Sequence, residues 1–331
     1  MHTRIARHGD ATTFLRRARP WLLQTEAENN VILGLTSNAG TPPADLYVAT
    51  VEQDGAVVGC ALRTPPRKLL ITRMPPSCVS ALVVDVAACY DQLPAILGPP
   101  AAAREFALHW CERRGCTARD AMALRLYTLD RVLQLPQRPN GSLRLAAPAE
   151  ASLVASWIAC FNAEAGAQAT STRAQLATRI AAGEMAFWCD DGPRSLAGYS
   201  GRSPNGVRIG YVYTPPEWRG RGYATACVAA LSQHALDHGA GFCCLYTDLS
   251  NPTSNGIYQR IGYTPICDAI DIEFVPASSP QRRSDARRTE SCSQAYEIHG
   301  AYHQMEAAHD SEVRRHGPRT LHREARGRQC L

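Results

Sequence analysis

The stretch Val212-Tyr-Thr-Pro-Pro-Glu-Trp-Arg219-Gly-Arg-Gly-Tyr-Ala224 decides how the second half of this chain should fold. Val207–Thr214 has the pattern of a strand, and the two prolines that follow end it because proline cannot donate to a sheet ladder. A helix is predicted from Gly222 to His238. The two glycines of the turn let the backbone bend tightly and leave unpaired N–H groups at the positive end of the helix. Such an end suits a pyrophosphate, and a plain strand–helix turn is the alternative.

The segments around this turn predict a mixed α+β sheet in the order β-α-α-β-β-β-α-β-α-β-β. Apolar residues recur at helical spacing after Pro148. Helices are also predicted over Thr172–Ala182 and Asn255–Arg260. The expected strands are Ser142–Ala146, Met185–Cys189, Ser195–Gly201, Val207–Thr214, Phe242–Leu249, Tyr263–Cys267 and Ile270–Phe274.

The first half shows a looser version of the same order, which indicates an ancient duplication. Helices are predicted over Ala11–Asn29 and Ala101–Arg114, and the strands are Leu46–Glu52, Ala56–Thr64, Leu69–Arg73, Ser80–Val84 and Ala121–Leu129. We expect the segment Pro94–Pro100 to correspond to the glycine turn of the second half. It has one glycine, and its prolines lack N–H groups, so it cannot present a run of amides to a phosphate.

Composition and turn residues predict three regions. Residues 1–139 form the first copy, and residues 140–275 form the second, after a turn-rich linker that ends near Ser142. Residues 276–331 form an Arg-rich tail with few large apolar side chains, and we expect this tail to be disordered. The fold class is therefore α+β, with a mixed, mostly antiparallel sheet flanked by helices, two tandem copies and a C-terminal tail.

The composition argues against several classes of protein. The net charge is +5 and Lys68 is the single lysine, without a basic stripe and interleaved aromatics, so no nucleic-acid partner is expected. The 13 cysteines form no Cys-x-x-Cys pair and no zinc spacing, so no metal is expected and the thiols should be reduced. The N-terminal residues carry charges throughout and no apolar run is long enough to span a membrane. A cytoplasmic protein without a membrane partner is expected.

Two motifs together make the chain similar to the GNAT superfamily of N-acetyltransferases. The family motif Arg/Gln-x-x-Gly-x-Gly/Ala after a strand is matched by Arg219, Gly222 and Ala224. A second family motif is matched by Asn251-Pro-Thr-Ser-Asn-Gly-Ile-Tyr258-Gln-Arg-Ile-Gly262-Tyr263. The resemblance covers Val207–Tyr263 closely and extends over about Leu143–Phe274. It implies a GNAT-type sheet, a tandem protein with a degenerate first copy, and acetyl-CoA as the co-substrate.

The resemblance also implies roles for individual residues. The strand end would pair its backbone with the pantetheine arm, the turn would hold the pyrophosphate, and Tyr258 would protonate the departing thiolate as a general acid. On the same basis, the cofactor would contact Val212, Tyr213, Thr214, Arg219, Gly220, Arg221, Gly222, Tyr223, Ala224, Thr225, Asn251 and Asn255.

Several of these residues have a structural alternative. Tyr258 could be a core aromatic, and Asn255 could be a helix N-cap instead of a ligand contact. Asp248 is the first candidate for the general base, although it could equally cap the turn that follows it, and ordered water could replace a base. No catalytic role is assigned to His234, His238 or the exposed Glu217. Cys227 lies near the turn, but it is not placed to carry the acyl group.

The predicted function is acetyl transfer from acetyl-CoA to a primary amine, directly within a ternary complex. The acceptor is expected to be a small molecule or a peptide, and the sequence does not predict the oligomeric state. The first copy would wall the acceptor site, with Glu28, Asn29 and Asn30 as candidate lining residues or a solvated helix end. The alternatives are a non-catalytic sensor that binds acyl-CoA and an interaction protein whose tail carries the function.

Overall fold

A computed structural model describes residues 2–37, 45–164 and 172–276. These residues belong to one compact unit. The predicted tail beyond Pro276 lies outside the described residues, so the expectation of disorder there stays a prediction.

The first half begins with a strand and a helical pair. The Asp10 side chain caps the first helix by accepting a hydrogen bond from Thr13 N. The helix predicted to reach Asn29 ends at Leu22, and a turn of 3₁₀-helix and a second helix follow. The elements are β1 (Thr3–Arg7), α1 (Ala11–Leu22), α2 (Asn30–Ser37), β2 (Tyr47–Gln53), β3 (Ala56–Arg63), β4 (Leu69–Ile71), α3 (Pro76–Cys89), β5 (Ala95–Gly98), α4 (Pro100–Arg114) and β6 (Cys116–Leu129).

The second half repeats this order of helices and strands, as the duplication predicted. A Thr172–Gln175 capping box starts α6, and a short turn of 3₁₀-helix precedes α5. The elements are β7 (Ser142–Leu145), α5 (Ala151–Glu164), α6 (Arg173–Ala181), β8 (Met185–Cys189), β9 (Pro193–Arg202), β10 (Gly206–Tyr213), α7 (Tyr223–Asp237), β11 (Phe242–Asp248), α8 (Pro252–Ile261) and β12 (Thr264–Pro276).

The strands of the described residues join one 12-stranded sheet in the order β1-β2-β3-β4-β5-β12-β6-β11-β10-β9-β8-β7. Its pairs are antiparallel except β4–β5 and β10–β11, which confirms the predicted mixed, mostly antiparallel α+β fold. The two halves exchange their last strands, because β12 pairs with β5 and β6 pairs with β11. The boundary between the two copies, placed at residues 139 and 140, stays a prediction. The sheet contains strands from both sides of this boundary.

Three further predictions about the elements are wrong. Ser80–Val84 was expected to be a strand, but it lies inside α3, whose apolar residues Cys78, Val79, Leu82, Val83 and Val86 are buried at helical spacing. Tyr263–Cys267 and Ile270–Phe274 are parts of one strand, because β12 absorbs an irregularity between Pro265 and Cys267 as a bulge. The element order also shows that β4 and α3, not Pro94–Pro100, correspond to the strand and helix around the glycine turn.

The alternation of side chains along the central strands defines two faces of the sheet. Tyr127, Cys243 and Leu245 belong to a buried cluster that also contains residues of α7 and α8. Their neighbours Cys244, Tyr246 and Asp248 therefore point to the opposite face, since successive side chains of a strand alternate. That opposite face near β9 to β11 receives the turn between α1 and α2 of the first half, through Asn30 and Glu26.

Candidate functional site

The glycine turn has the conformation that the sequence predicts. A short 3₁₀-helix at Pro216–Trp218 leads into it, and Gly220 and Gly222 adopt φ of +75° and +82°. Helix α7 starts at Tyr223, and no side chain of the described residues caps it. Within the described residues, the backbone N–H groups from Gly220 to Thr225 have no acceptor. The turn therefore presents a run of free amides at the N-terminus of a long helix, which is the arrangement that binds phosphate groups.

The side chain of Arg219 does not join these amides. Its Nε donates to the carbonyl of Thr214 at 2.9 Å, and its Nη2 donates to both carboxylate oxygens of Glu164 at 2.6 and 2.9 Å. The hydrogen bond to Glu164 raises the pKa of the Arg219 guanidinium. Arg219 therefore fastens the end of α5 to the turn, while its backbone stays beside the free amides.

A second set of contacts fastens the turn to the hairpin between β8 and β9. The buried Tyr223 donates its hydroxyl to Asp190 Oδ2 at 2.6 Å, a hydrogen bond that raises the pKa of Tyr223. The Trp218 ring lies 3.8 Å from the guanidinium carbon of Arg194 and 4.9 Å from that of Arg221. These cation–π contacts hold two positive charges beside the turn.

A cleft opens between β10 and β11 next to the turn. Within the described residues these parallel strands pair from Gly206↔Phe242 to Arg208↔Cys244 and then part. A bulge follows in β10, where Tyr211 has φ of +55°. Beyond Arg208, β10 is therefore no longer paired with β11 among the described residues, and it leads directly to the predicted contact residues Val212 and Tyr213.

Tyr258 and Asp248, the predicted acid and base, lie on opposite faces of the sheet beside this cleft. The Tyr258 ring packs in the cluster beneath α7 and α8, 6.5 Å from Tyr127 and 5.9 Å from Tyr263 between ring centroids. Burial raises the pKa of Tyr258 to about 12. Its hydroxyl has no hydrogen-bond partner among the described residues. Tyr258 is therefore both a core aromatic and a neutral phenol with a free hydroxyl.

The carboxylate of Asp248 takes the turn-capping contact that was its alternative. Its Oδ1 accepts a hydrogen bond from Ser250 N at 2.8 Å. The second carboxylate oxygen has no partner within the described residues. Asp248 therefore holds the turn and still presents one free oxygen.

The N-cap of α8 is Asn251, and Asn255 has a different structural role. Asn251 caps α8 by accepting from Ser254 N at 3.0 Å. The N-cap alternative for Asn255 is wrong, because Asn255 lies one turn further along the helix. Its amide donates to the carbonyls of Asp248 and Asn251 at 3.0 and 2.7 Å, and its Oδ1 accepts from Tyr127 at 2.9 Å. Asn255 therefore fixes the end of β11 against β6.

Other residues near the turn lie within it or along α7. Cys227 is a buried residue of α7, and burial raises the pKa of its thiol to about 12. Glu217 is exposed in the turn, and Thr225 is half-buried at the start of α7. The rings of His234 and His238 lie 4.0 Å apart toward the other end of that helix.

Of the three wall candidates in the first half, Asn30 reaches the second half through its side chain. Its Oδ1 accepts from Arg208 at 2.6 Å, and its Nδ2 lies 3.5 Å from the Tyr246 hydroxyl. Asn29 instead donates to Leu22 and Thr25 inside its own turn. Glu28 forms an ion pair with Arg73 at 3.1 Å.

The loop of the first half that corresponds to the glycine turn runs from Thr72 to Pro75. It contains no glycine, and Pro75 and Pro76 form the N-cap and first residue of α3, so the start of this helix lacks two N–H groups. A pocket of about 410 Å³ lies beside it, lined by Trp21, Gln24, Thr25, Val58, Arg73, Met74 and Pro75. The expected loss of the amide run thus occurs in a different loop from the one predicted.

The structure adds residues that sequence reasoning did not select. Glu164 and Asp190 anchor the turn from a helix end and a hairpin, and Tyr127 reaches Asn255 from a strand of the first half. Arg208 stands where β10 and β11 part. Only Arg208 has a local signal, a charged residue within a strand of apolar residues, since the other three contacts depend on long-range packing.

Comparison with known proteins places the second half in a family. Residues 152–263 match the family described as Acetyltransferase (GNAT) family. This part of the chain is therefore a domain of the GNAT superfamily, which confirms the resemblance. A search of curated protein sequences found no significant match.

Solved structures share the fold over most of the chain. A Drosophila protein is 14% identical, with 83% of this chain and 99% of the other covered and a TM-score of 0.58. A GCN5-related N-acetyltransferase from Sphaerobacter thermophilus is 16% identical, with 84% and 97% covered and a TM-score of 0.53. A GCN5-related N-acetyltransferase from Kribbella flavida is 14% identical, with 76% and 95% covered and a TM-score of 0.52. At these identities, the likeness shows the fold.

The described residues hold no candidate membrane span and no candidate metal site. In the parts of the chain that the structure describes, no helix is long and apolar enough to cross a membrane. Over the same residues, no group of three or more His, Cys, Asp or Glu side chains is placed to hold a metal ion.

Proposed function

We propose that this protein transfers the acetyl group of acetyl-CoA to a primary amine, directly within a ternary complex. The observation that carries this proposal is the run of free amides from Gly220 to Thr225, which stands beside the cleft between β10 and β11. Membership of the second half in the GNAT family supports acetyl-CoA as the co-substrate.

In this proposal, the free amides bind the pyrophosphate of acetyl-CoA and the α7 dipole adds to that attraction. The pantetheine arm lies in the cleft and pairs with the free edge of β10 at Val212, Tyr213 and Thr214. Thr225 adds a hydroxyl at the start of α7, and Asn251 contacts the pantetheine from the start of α8. Arg219 holds the geometry of the turn, because its side chain binds Glu164 and its own N–H donates to the Pro216 carbonyl.

The acceptor enters from the face that carries Asp248 and Tyr246, opposite the helices α7 and α8. Its amine nitrogen attacks the thioester carbonyl carbon, a C–N bond forms, and the C–S bond breaks. The amine loses one proton and the departing sulfur gains one, so the products are an amide and a thiol. Asp248 through its free oxygen, or an ordered water, takes the amine proton.

Tyr258 protonates the sulfur. Its pKa of about 12 keeps the phenol neutral near pH 7, so its hydrogen stays on the oxygen until the sulfur departs. The phenolate that remains is a strong base and takes up a proton again at once. Cys227 has no part in the transfer, because a buried thiol with a pKa of about 12 is a poor acyl carrier.

The test is calorimetry with CoA followed by an amine panel with acetyl-CoA, in which the released thiol is measured. Gly220→Ala and Gly239→Ala form a matched pair, since both glycines have positive φ and a Cβ at either would meet no atom within 4 Å. Both variants should lose about 1 kcal/mol of stability. Only Gly220→Ala should weaken CoA binding, by about tenfold or more, because its Cβ blocks the close approach of phosphate to the amides.

The outcomes separate the alternatives. CoA binding with acetyl transfer supports the enzyme. CoA binding without transfer to any amine would favour a non-catalytic acyl-CoA sensor, and no CoA binding at all would favour an interaction protein. A cytoplasmic location stays part of the proposal.

A further inference from the structure

The half-buried guanidinium of Arg208 has no carboxylate partner among the described residues. Arg208 forms the last residue pair between β10 and β11, with Cys244, before the strands part. Its Nη1 donates to Asn30 Oδ1 at 2.6 Å, its Nη2 to the Ser200 carbonyl at 3.0 Å, and its Nε to Ser200 Oγ at 3.0 Å. These acceptors are neutral. No carboxylate oxygen of the described residues lies within 4 Å of its nitrogens, and two of its five N–H groups stay free.

The surrounding chain makes room for this side chain. Gly201 is the register partner of Arg208 on β9, and a Cβ there would lie 2.7 Å from Nη2. On the other side, Asn30 comes from the first half and is itself buried. The guanidinium is therefore held in one place from both halves.

Glu26 is the acidic residue that reaches this region from the first half, and its carboxylate binds residues other than Arg208. Glu26 accepts from Ser203 Oγ at 2.6 Å and from the backbone and side chain of Asn205, each at 2.7 Å. These bonds use both of its oxygens. Keeping a partly buried guanidinium without an anion costs desolvation energy, and a charged ligand that supplies the anion would recover it.

The position of Arg208 relates it to the transfer chemistry. Arg208, Cys244 and Tyr246 lie on the same face as Asp248, at the point where the cleft begins. The Tyr246 hydroxyl faces the same Asn30 that holds Arg208. An acceptor whose amine reaches the thioester in the cleft would thus bring its other substituents next to Arg208.

We propose that Arg208, together with Asn30 and Tyr246, forms a carboxylate-binding subsite, so that the acceptor is an amine that also carries a carboxylate, such as an amino acid. This inference rests on the proposed acetyl transfer and narrows its substrate class. The two free N–H groups of Arg208 donate to the carboxylate, and Tyr246 adds a hydroxyl donor. The geometry of the guanidinium, fixed by Ser200 and Asn30, makes this recognition selective.

The first test compares amino acids with the amines that lack only the carboxylate. The full chain is assayed by thiol release with tyrosine against tyramine, histidine against histamine, and tryptophan against tryptamine. We expect kcat/KM to be at least about tenfold higher for the amino acid of the preferred pair. Equal values within every pair, or higher values for the amines, would overturn the proposal.

The second test removes the guanidinium. Arg208→Gln should lower kcat/KM for the amino acid by about 10 to 100-fold, mainly through KM, and leave the matching amine within about threefold, while Arg208→Lys recovers part of the loss. Arg202→Gln on β9 is the control, since Arg202 is exposed and lies near Glu184 at 3.6 Å. An equal loss for amino acid and amine in Arg208→Gln, with CoA affinity intact, would contradict a carboxylate subsite.

A binding measurement keeps the inference separate from the proposed activity. N-acetylated amino acids and the corresponding N-acetyl amines are titrated into the CoA-loaded protein by calorimetry. If the acids bind and Arg208→Gln abolishes this binding, the subsite is supported even when no amine is acetylated. The lack of acetylation would then contradict only the proposed transfer. Equal binding of acids and amines, or no binding of the acids, would overturn the subsite itself.

Discussion

The carboxylate of Glu164 holds the guanidinium of Arg219 through both oxygens, at 2.6 and 2.9 Å. Arg219 is the basic residue of the family motif, and its charge would suit a direct contact with phosphate. The contact with Glu164 directs it to the end of α5 instead. In the proposed function, the turn therefore binds its ligand through backbone amides, and Arg219 holds their geometry.

This relationship predicts matched effects of removing either partner. Arg219→Gln and Glu164→Gln should each weaken CoA binding by about two- to fivefold, since exposed ion pairs contribute roughly 0.2–1 kcal/mol. The double variant should be no weaker than either single variant, because both remove the same clamp. Calorimetry at fixed ionic strength measures this, with the exposed Glu217→Gln as the control. A loss of tenfold or more in Arg219→Gln alone would instead identify Arg219 as a phosphate ligand.

Tyr258 provides a sharper test of the chemistry. Tyr258→Phe should lower kcat by roughly 10²–10⁴-fold with little change in CoA affinity, because only a proton donor is removed. Tyr199→Phe is the matched control. Tyr199 lies in the same buried cluster, and burial raises its pKa to about 12 as well, but it stands on β9 away from α8. If both variants keep the full rate, Tyr258 is only a core aromatic.

The local features of the site could be predicted from the sequence almost to the residue. Two glycines after a strand and two prolines specify the turn, because only a few backbone conformations satisfy that order. The start of α7 at Tyr223 follows from the same residues. Short-range geometry of this kind depends on neighbours in the chain, which a single sequence displays.

The long-range features could not be predicted. No local sequence pattern distinguishes a strand that pairs within its own half from one that pairs with the other half. The exchange of β6 and β12 therefore could not be predicted from the sequence. The strand predicted at Ser80–Val84 failed for a related reason: its β-branched residues favour a strand, while burial along one side of α3 favours the helix. Asn30 and Arg208 meet only because α2 packs across β9.

Buried thiols predict how stability depends on pH. Burial raises the pKa of Cys227, Cys243 and Cys244 to about 12 each. The folded pKa lies above the unfolded value of about 8.5, so this stabilisation is complete below pH 8.5 and is lost as the pH rises toward 12. Above about pH 9, each thiol should lower the free energy of unfolding by about 1.4 kcal/mol per pH unit.

Urea denaturation at pH 8, 9 and 10 with reductant present measures this slope. Cys227→Ala should be less stable than the natural chain at pH 8, because it leaves a small cavity. Its free energy of unfolding should then fall less steeply as the pH rises, because the contribution of one thiol to the slope is missing. The same slope in both proteins would mean that Cys227 ionises as readily in the folded state as in the unfolded one.

The exchange of last strands predicts that the second half depends on the first. Residues 140–276 expressed alone lack β6, which pairs with β11 from Leu124 to Leu129 and with β12 along nearly its whole length. The edge of β11 would then be bare and Asn255 would lose the Tyr127 hydroxyl, and bare edges promote aggregation. We expect this fragment to be insoluble or unable to bind CoA. Co-expression with residues 1–139 should restore a soluble complex that binds CoA, as measured by size-exclusion chromatography and calorimetry. A soluble, CoA-binding fragment 140–276 would show that β11 and β12 can pair directly, and that the second copy folds without the strand it receives.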